Sequence, residues 1–190
     1  MTSNYKSKLA QAVEQYADIL TSGYLLAIDP SSGSAGSLPG FAIFKAGVLE
    51  DAGVIQLPRG GRAISNRLWL LRQALESEFD RPDLLAVELI SPIMPTKGGA
   101  FMNKSASSLI KSVGAILSTW DVDVIEPSPS TWHALVDKAL LAESALLGTP
   151  LYKYQKTDAK DAVAIGWSAI ATLAQVQGRP QPPLPEILKS

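Results

Sequence analysis

Four carboxylates in this 190-residue chain lie where predicted strands end and where a predicted helix begins. Asp29 ends the first strand, Glu88 ends the fourth, and Asp158 and Asp161 begin the last helix. Functional sites of open α/β sheets lie beyond the carboxyl ends of the strands. A spacing of three residues puts Asp158 and Asp161 on one face of their helix. We therefore expect the four acids to meet at one edge of the sheet.

The chemistry that suits four such acids is divalent-metal catalysis. Crowded carboxylates repel one another, and a hard cation removes that cost. Mg²⁺ and Mn²⁺ prefer oxygen ligands, and two such ions about 3.5–4 Å apart can clamp the attacking and leaving oxygens of a phosphodiester displacement. The four acids therefore predict a two-metal nuclease.

Two of the four acids also have a structural explanation. Asp29 precedes Pro30 and can start a turn, and Asp158 suits the N-terminus of a helix. Glu88 is harder to explain in this way, because a carboxylate beside a central strand is costly unless it is paired, protonated or bound to metal. The conjunction of the four acids favours the metal site.

Seven of the 17 basic residues of the chain lie in two windows without acids that flank Glu88. These windows are residues 52–75, with Arg59, Arg62, Arg67 and Arg72, and residues 89–120, with Lys97, Lys104 and Lys111. The chain has 17 Lys and Arg against 18 Asp and Glu, a net charge of -1. Two bound Mg²⁺ ions would add +4 to this -1 and give +3, which is compatible with binding to a phosphate backbone.

Hydrophobic periodicity predicts an α/β domain that positions these residues. Spacings of three and four predict helices near 8–20, 64–79 and 109–120, near 130–141 with Ser130 as its cap, and at 158–175 with Thr157 as its cap. Short apolar runs predict strands at 24–28, 41–44, 53–57, 84–87 and 122–126. The first three strands predict an antiparallel meander, and the strand and helix alternation after them predicts parallel pairing.

Composition limits the remaining possibilities. A chain of 20.2 kDa with 46% hydrophobic residues can form one full core, and the absence of cysteine excludes disulfides, iron–sulfur clusters and thiolate zinc sites. Neither a signal peptide nor a membrane-spanning run is recognisable, so we expect a cytoplasmic protein.

We divide the chain into an N-terminal helical extension (1–22), the α/β domain (23–176) and a proline-rich tail (177–190). We expect the tail to lie extended over the surface.

The motifs around the four acids resemble those of the RuvC-type Holliday-junction resolvases, a family of the RNase H-like superfamily. The similar segments are Leu26-Ala27-Ile28-Asp29-Pro30, Leu85-Ala86-Val87-Glu88, Ser105 to Leu117, and Lys156 to Ile165 with its Asp-x-x-Asp-Ala pattern. The resemblance covers roughly residues 24–170. It implies an RNase H-like α/β fold whose five-stranded mixed sheet, three antiparallel strands and then two parallel ones, is flanked by helices.

The same resemblance implies an activity and a site. It implies a Mg²⁺-dependent endonuclease that resolves four-way DNA junctions as a homodimer, by paired nicks, with Mn²⁺ able to replace Mg²⁺. Asp29, Glu88, Asp158 and Asp161 would be its catalytic residues and would hold two metal ions. The N-terminal helix and the proline-rich tail lie outside the match, and a phage-encoded or otherwise divergent member would fit these additions.

The chain departs from the family pattern in two loops. Ser31-Ser32 precede Gly33 where the family has glycine directly after Asp-Pro, and Leu89 to Pro92 replace an aromatic wedge that the family often has. Phe101 or Met102 could unstack a base instead. The candidate DNA contacts are therefore Arg59, Arg62, Lys97, Phe101, Met102, Lys104, Lys111, Lys156 and Lys160. His133 is a further candidate for assisting catalysis, although most lone histidines have no catalytic role.

Two other functions fit the same residues. A nuclease with this fold and these metals could act on flaps, forks or RNA–DNA hybrids rather than on four-way junctions. A non-catalytic DNA-binding or scaffold domain would function without Mg²⁺ or Mn²⁺. Competition between branched and hybrid substrates distinguishes the first alternative from a junction resolvase. Metal titration distinguishes the second alternative from a metal-dependent nuclease.

Overall fold

The computed structural model describes residues 2–30, 38–57, 64–88, 104–147 and 157–189. Its helices are α1 (Thr2–Gln15), α2 (Ala17–Ser22), α3 (Ile64–Glu78), α4 (Lys104–Leu117), α5 (Pro129–Leu147) and α6 (Asp158–Val176). Its strands are β1 (Tyr24–Asp29), β2 (Gly40–Lys45), β3 (Val48–Val54), β4 (Leu84–Val87) and β5 (Asp123–Ile125). A 3-10 turn at Glu186–Leu188 follows α6. None of the helices in these five segments is long and apolar enough to cross a membrane.

The strands form one mixed sheet in the order β3-β2-β1-β4-β5. β1 pairs antiparallel with β2, and β2 pairs antiparallel with β3. β1 and β4 are parallel, as are β4 and β5. The predicted five-stranded mixed sheet is therefore confirmed. β1 and β4 are covered by helices on both faces, which explains their nearly uninterrupted apolar sequence.

Helices cover the two faces of the sheet in separate layers. α1, α2, α5 and α6 pack on one face, against strand residues that include Leu25, Ala27 and Phe44. α3 and α4 pack on the other face, against Leu26 and Ile28. Because successive strand residues point to opposite faces, the parity of a position tells which layer it meets.

The β2–β3 hairpin turns earlier than its sequence suggests. β3 spans Val48–Val54, whereas the prediction put this strand at 53–57 after a polar turn. The chain turns instead at Ala46 and Gly47, whose φ angles of 49° and 75° are both positive. Two consecutive positive φ values are typical of the two-residue turns that suit the twist of a hairpin. The polar residues at 50 and 51 are consequently exposed on an edge strand, where charge discourages pairing with another chain.

Two helix boundaries differ from those that the hydrophobic periodicity predicts, and one predicted helix cap is observed. The N-terminal helix is divided at Tyr16 into α1 and α2. α5 begins at Pro129 rather than after a Ser130 cap, because proline suits the first turn, where its missing N–H is not needed. The predicted cap of α6 is confirmed: the Thr157 hydroxyl accepts a hydrogen bond from the Lys160 backbone N–H at 3.3 Å.

The proline-rich tail is anchored to the protein by two leucines that its composition did not predict to be buried, whereas residues 178–181 are exposed, as predicted for a surface segment. Leu184 and Leu188 are only 3% and 1% exposed and belong to the core cluster around α6. The Trp167 Nε1–H of α6 donates a hydrogen bond to the Pro183 carbonyl at 3.2 Å. Lys189 Nζ lies 3.1 Å from Glu143 Oε2 of α5, so the tail contacts both helices.

Candidate functional site

Asp29 lies at the end of β1 and belongs to the face that α6 covers. Leu25 and Ala27 on β1 are in the core cluster with α6, and Asp29 has the same parity. Its side chain is 8% exposed. A buried carboxylate at a strand end needs polar or ionic partners, and Asp29 does take part in such an interaction.

Glu88 continues β4 beside Asp29. The parallel register pairs Ile28 with Val87, the last residue of β4, and the residue that follows each of them in the chain is an acid. Leu84 and Ala86 lie in the core cluster with α6, and Glu88 follows with the same parity. Adjacent strands are about 4.8 Å apart. The backbone therefore brings two acids to the same edge of the sheet, Asp29 buried at the end of β1 and Glu88 half-buried directly after β4.

The first turn of α6 reaches the same edge through a contact with Gly40. Gly40, on β2, is the register partner of Asp29. A Cβ atom built on Gly40 would lie 1.8 Å from the carbonyl oxygen of Asp158, so helix backbone lies directly on strand backbone. The edge formed by Asp29, Gly40 and Glu88 is called the carboxyl edge below.

A second contact fixes the direction of α6 over the sheet. Gly166 packs against Phe44 of β2 and Ala27 of β1. From Gly40 to Phe44 a strand advances about 13 Å. From Asp158 to Gly166 a helix advances about 12 Å. The agreement means that α6 runs parallel to β2 and antiparallel to β1, with its N-terminus at the carboxyl edge.

Asp158 and Asp161 both lie in the first turn of α6. Both are half-buried, and the exposed backbone N–H groups and the helix dipole stabilise negative charge at this position. The helix terminus thus explains why the two acids are tolerated. The Gly40 contact explains why they lie at the carboxyl edge with Asp29 and Glu88.

The four acids supply an oxygen-only donor set, which fits Mg²⁺ or Mn²⁺ and does not fit a soft metal. The backbone brings two acids from the sheet and two from the helix to one edge. In the part of the chain that the structure describes, no three His, Cys, Asp or Glu side chains are arranged as a ready metal cage. The backbone therefore brings the four acids to a shared edge without a preformed cage among the described side chains.

Only part of the candidate DNA-binding set lies within the described residues. Lys111 is exposed on α4, and Lys160 is half-buried in the first turn of α6. Lys104 begins α4, but its side chain is not among those described. The candidates outside the described residues are Arg59, Arg62, Lys97, Phe101, Met102 and Lys156.

The orientation of α3 and α4 relates their basic residues to the site. Residues 79–83 connect the end of α3 to the start of β4, and residues 118–122 connect α4 to the start of β5. Both strands start at the edge opposite Asp29, so both helices run away from the carboxyl edge. Arg67, which is half-buried, therefore lies nearer that edge than Arg72, which forms an ion pair with Glu76 at 2.8 Å.

His133 lies in the second turn of α5 and stacks on Trp132, with ring centroids 3.6 Å apart and an interplanar angle of 27°. Because β5 ends at the carboxyl edge, α5 begins near it. The stack holds the imidazole in a fixed orientation.

Sequence reasoning missed Gly40. The residue follows a run rich in Ser, Gly, Ala and Pro, where glycine is expected for loop flexibility. Its importance comes from a helix that is more than a hundred positions away along the chain. No local pattern could have revealed the contact.

Comparisons with known proteins agree with this architecture. No protein-family model and no curated protein sequence matches the chain. A structure of Thermus thermophilus RuvC in complex with a Holliday junction substrate is similar at 18% identity, with a TM-score of 0.54, and covers 80% of this chain and 95% of RuvC. A second structure of Thermus thermophilus RuvC is similar at 17% identity, with a TM-score of 0.51, and covers 81% of this chain and 96% of RuvC. The chain therefore has a RuvC-like fold, with a five-stranded mixed sheet flanked by helices.

Proposed function

We propose that this protein is a Mg²⁺-dependent endonuclease that cuts four-way DNA junctions. The observation that carries the proposal is the parallel register of β1 and β4. It pairs Ile28 with Val87, the residues directly before Asp29 and Glu88, and the acidic first turn of α6 lies against Gly40 at the same edge. The fold is shared with a junction-bound RuvC. The conjunction of fold and acid positions is more specific than either alone.

In this proposal Asp29, Glu88, Asp158 and Asp161 hold two Mg²⁺ ions, which Mn²⁺ can replace. When bound, the ions supply activation of the attacking water and charge stabilisation at the departing oxygen. The residues of the chain fix the geometry: Asp29 and Glu88 are fixed to neighbouring strands, and the acids of α6 are oriented by a capped helix turn. A rigid scaffold of this kind favours precise ligand placement.

The substrate is bound mainly through its phosphates. α4 carries Lys104 and Lys111 and no acid, and α3 carries Arg67 in the half nearer the carboxyl edge. Backbone contacts of this type position DNA without reading its sequence, so recognition depends on the shape of the junction. The proposed functional unit is a homodimer, because two symmetric nicks on a two-fold substrate need two active sites.

The first test compares Asp29→Asn and Glu88→Gln with the wild type on a labelled synthetic four-way junction in Mg²⁺. Both substitutions keep the size of the side chain and remove its charge. We expect cleavage to fall by about 10²-fold or more, since each substitution weakens the hold on the metal ions that would stabilise charge at the reacting phosphate. The matched control is Asp137→Asn on α5, an exposed acid outside the carboxyl edge, which should cleave at the wild-type rate.

The same assay separates the competing functions. Cleavage that stops in EDTA and returns with Mg²⁺ or Mn²⁺ supports the metal requirement. Faster cutting of flaps, forks or RNA–DNA hybrids would identify one of these as the substrate instead. Junction binding without cleavage in either metal would indicate a non-catalytic domain, and full activity of either acid variant would exclude that acid from the site.

A further inference from the structure

Gly40 is the point at which the sheet and the acidic end of α6 come closest. We propose that Gly40 is a positioning residue, whose missing side chain sets the separation between Asp29 and the first turn of α6. The inference rests on the proposed function, because it concerns the geometry of the same acids. It adds a residue that has no functional group of its own.

The contact at Gly40 is between main chains. A Cβ atom on this residue would lie 1.8 Å from the carbonyl oxygen and 2.2 Å from the carbonyl carbon of Asp158, and 2.9 Å from the nitrogen of Ala159. All three atoms belong to the backbone of α6, so no side-chain rotation can relieve the overlap. Any residue other than glycine must therefore move the helix or the strand.

Space alone requires glycine at this position. The φ angle of Gly40 lies outside the left-handed region, and the residue is an ordinary member of β2. Ordinary van der Waals contact begins at 3.4 Å, so a Cβ would separate Asp158 from β2 by up to about 1.6 Å. Metal–ligand distances tolerate only about 0.2 Å, and a misplacement of about 1 Å can slow catalysis about 10²-fold.

Gly166 provides a matched comparison on the same helix. A Cβ there would lie 2.4 Å from the Phe44 ring and 2.9 Å from the Ala27 Cβ. This substitution also disturbs packing of α6 on the sheet, but about 12 Å from Asp158 along the helix axis. Loss of helix packing alone would affect both variants, whereas loss of acid positioning would affect only the Gly40 variant.

The experiment uses Gly40→Ala and Gly166→Ala in a Gly114→Ala background. Gly114 lies on α4 with nothing within 4 Å of a built Cβ, so this change compensates for lost stability without touching the site. Urea unfolding first establishes that each protein is folded. Mn²⁺ affinity is then measured by calorimetry with MnCl₂ alone, and kcat and KM are measured on the four-way junction in Mg²⁺.

We expect Gly40→Ala to weaken Mn²⁺ binding at least about 10-fold and to lower kcat about 10²-fold with little change in KM for the junction. Gly166→Ala should keep its Mn²⁺ affinity and kcat within about twofold of the background protein. Wild-type Mn²⁺ affinity and kcat in folded Gly40→Ala would overturn the inference while leaving the proposed function intact. A Gly40→Ala protein that fails to fold would assign the residue to stability and also overturn it. A background protein that neither binds Mn²⁺ nor cuts DNA would instead refute the proposed function, and the inference with it.

Discussion

Replacing Leu188 by alanine should destabilise the protein strongly, although the residue lies in a proline-rich tail. Leu188 is 1% exposed and belongs to the core cluster around α6. Removing a buried leucine side chain costs about 2–5 kcal/mol, because the lost apolar contacts leave a cavity. A chain of this size loses about 2–4 °C in Tm for each kcal/mol. A cost of about 3 kcal/mol therefore corresponds to a Tm lower by about 6–12 °C.

The measurement is urea and thermal unfolding, followed by near-UV circular dichroism. The control is Leu141→Ala on α5, the same substitution at a residue that is 55% exposed, which should change stability by less than about 0.5 kcal/mol. Below its Tm, the Leu188 variant should keep its metal affinity, since the tail packs on α6 near Trp167, about 13 Å from the acidic turn. Equal, small effects of the two substitutions would show that the tail is not part of the core and would refute the reasoning.

Three further outcomes follow from individual residues. Gly114→Ala alone should raise the unfolding free energy by about 0.5–1 kcal/mol in a calorimetric scan, because a helix-interior glycine is replaced without a clash, and an unchanged Tm would contradict this. Burial and the charge of Asp80 raise the pKa of Tyr24 to about 12 from 10.0. Its stabilising contribution should be present below pH 10.0 and decline as the pH approaches 12, and urea unfolding across this range should show a shallower decline for Tyr24→Phe. Lys111→Gln should weaken junction binding and lower the slope of log affinity against log salt by about 1, whereas Lys138→Gln on α5, in the opposite helix layer, should change neither.

The secondary structure near the site was predictable because its signals are local. The apolar run that ends at Asp29, the run that ends at Glu88 and the threonine before Asp158 identified two strand ends and a helix start from a few neighbouring residues each. β4 was predicted with its observed bounds, and Thr157 was predicted as the residue that caps α6. Burial on two faces and capping leave such patterns in short stretches of sequence.

Other features depended on partners that are distant in sequence. The hairpin turns at Ala46 and Gly47 rather than in the polar stretch that follows, because the pairing of whole strands outweighs the local preference for a turn. The tail leucines belong to a proline-rich stretch whose composition predicts an extended segment. They are buried because they pack in the core cluster with residues of α5 and α6. In both cases tertiary packing decided among conformations that the local sequence allowed.

The sequence by itself determined which residues carry charge and in what order they meet the strands and helices. Only the folded chain pairs Ile28 with Val87, which brings Asp29 and Glu88 to one edge of the sheet, and only there does Gly40 admit the backbone of Asp158. The physical reason is that periodicity reports which side of an element is buried. The separation between two elements is set by the atoms at their contact, and at Gly40 it is set by the absence of a side chain.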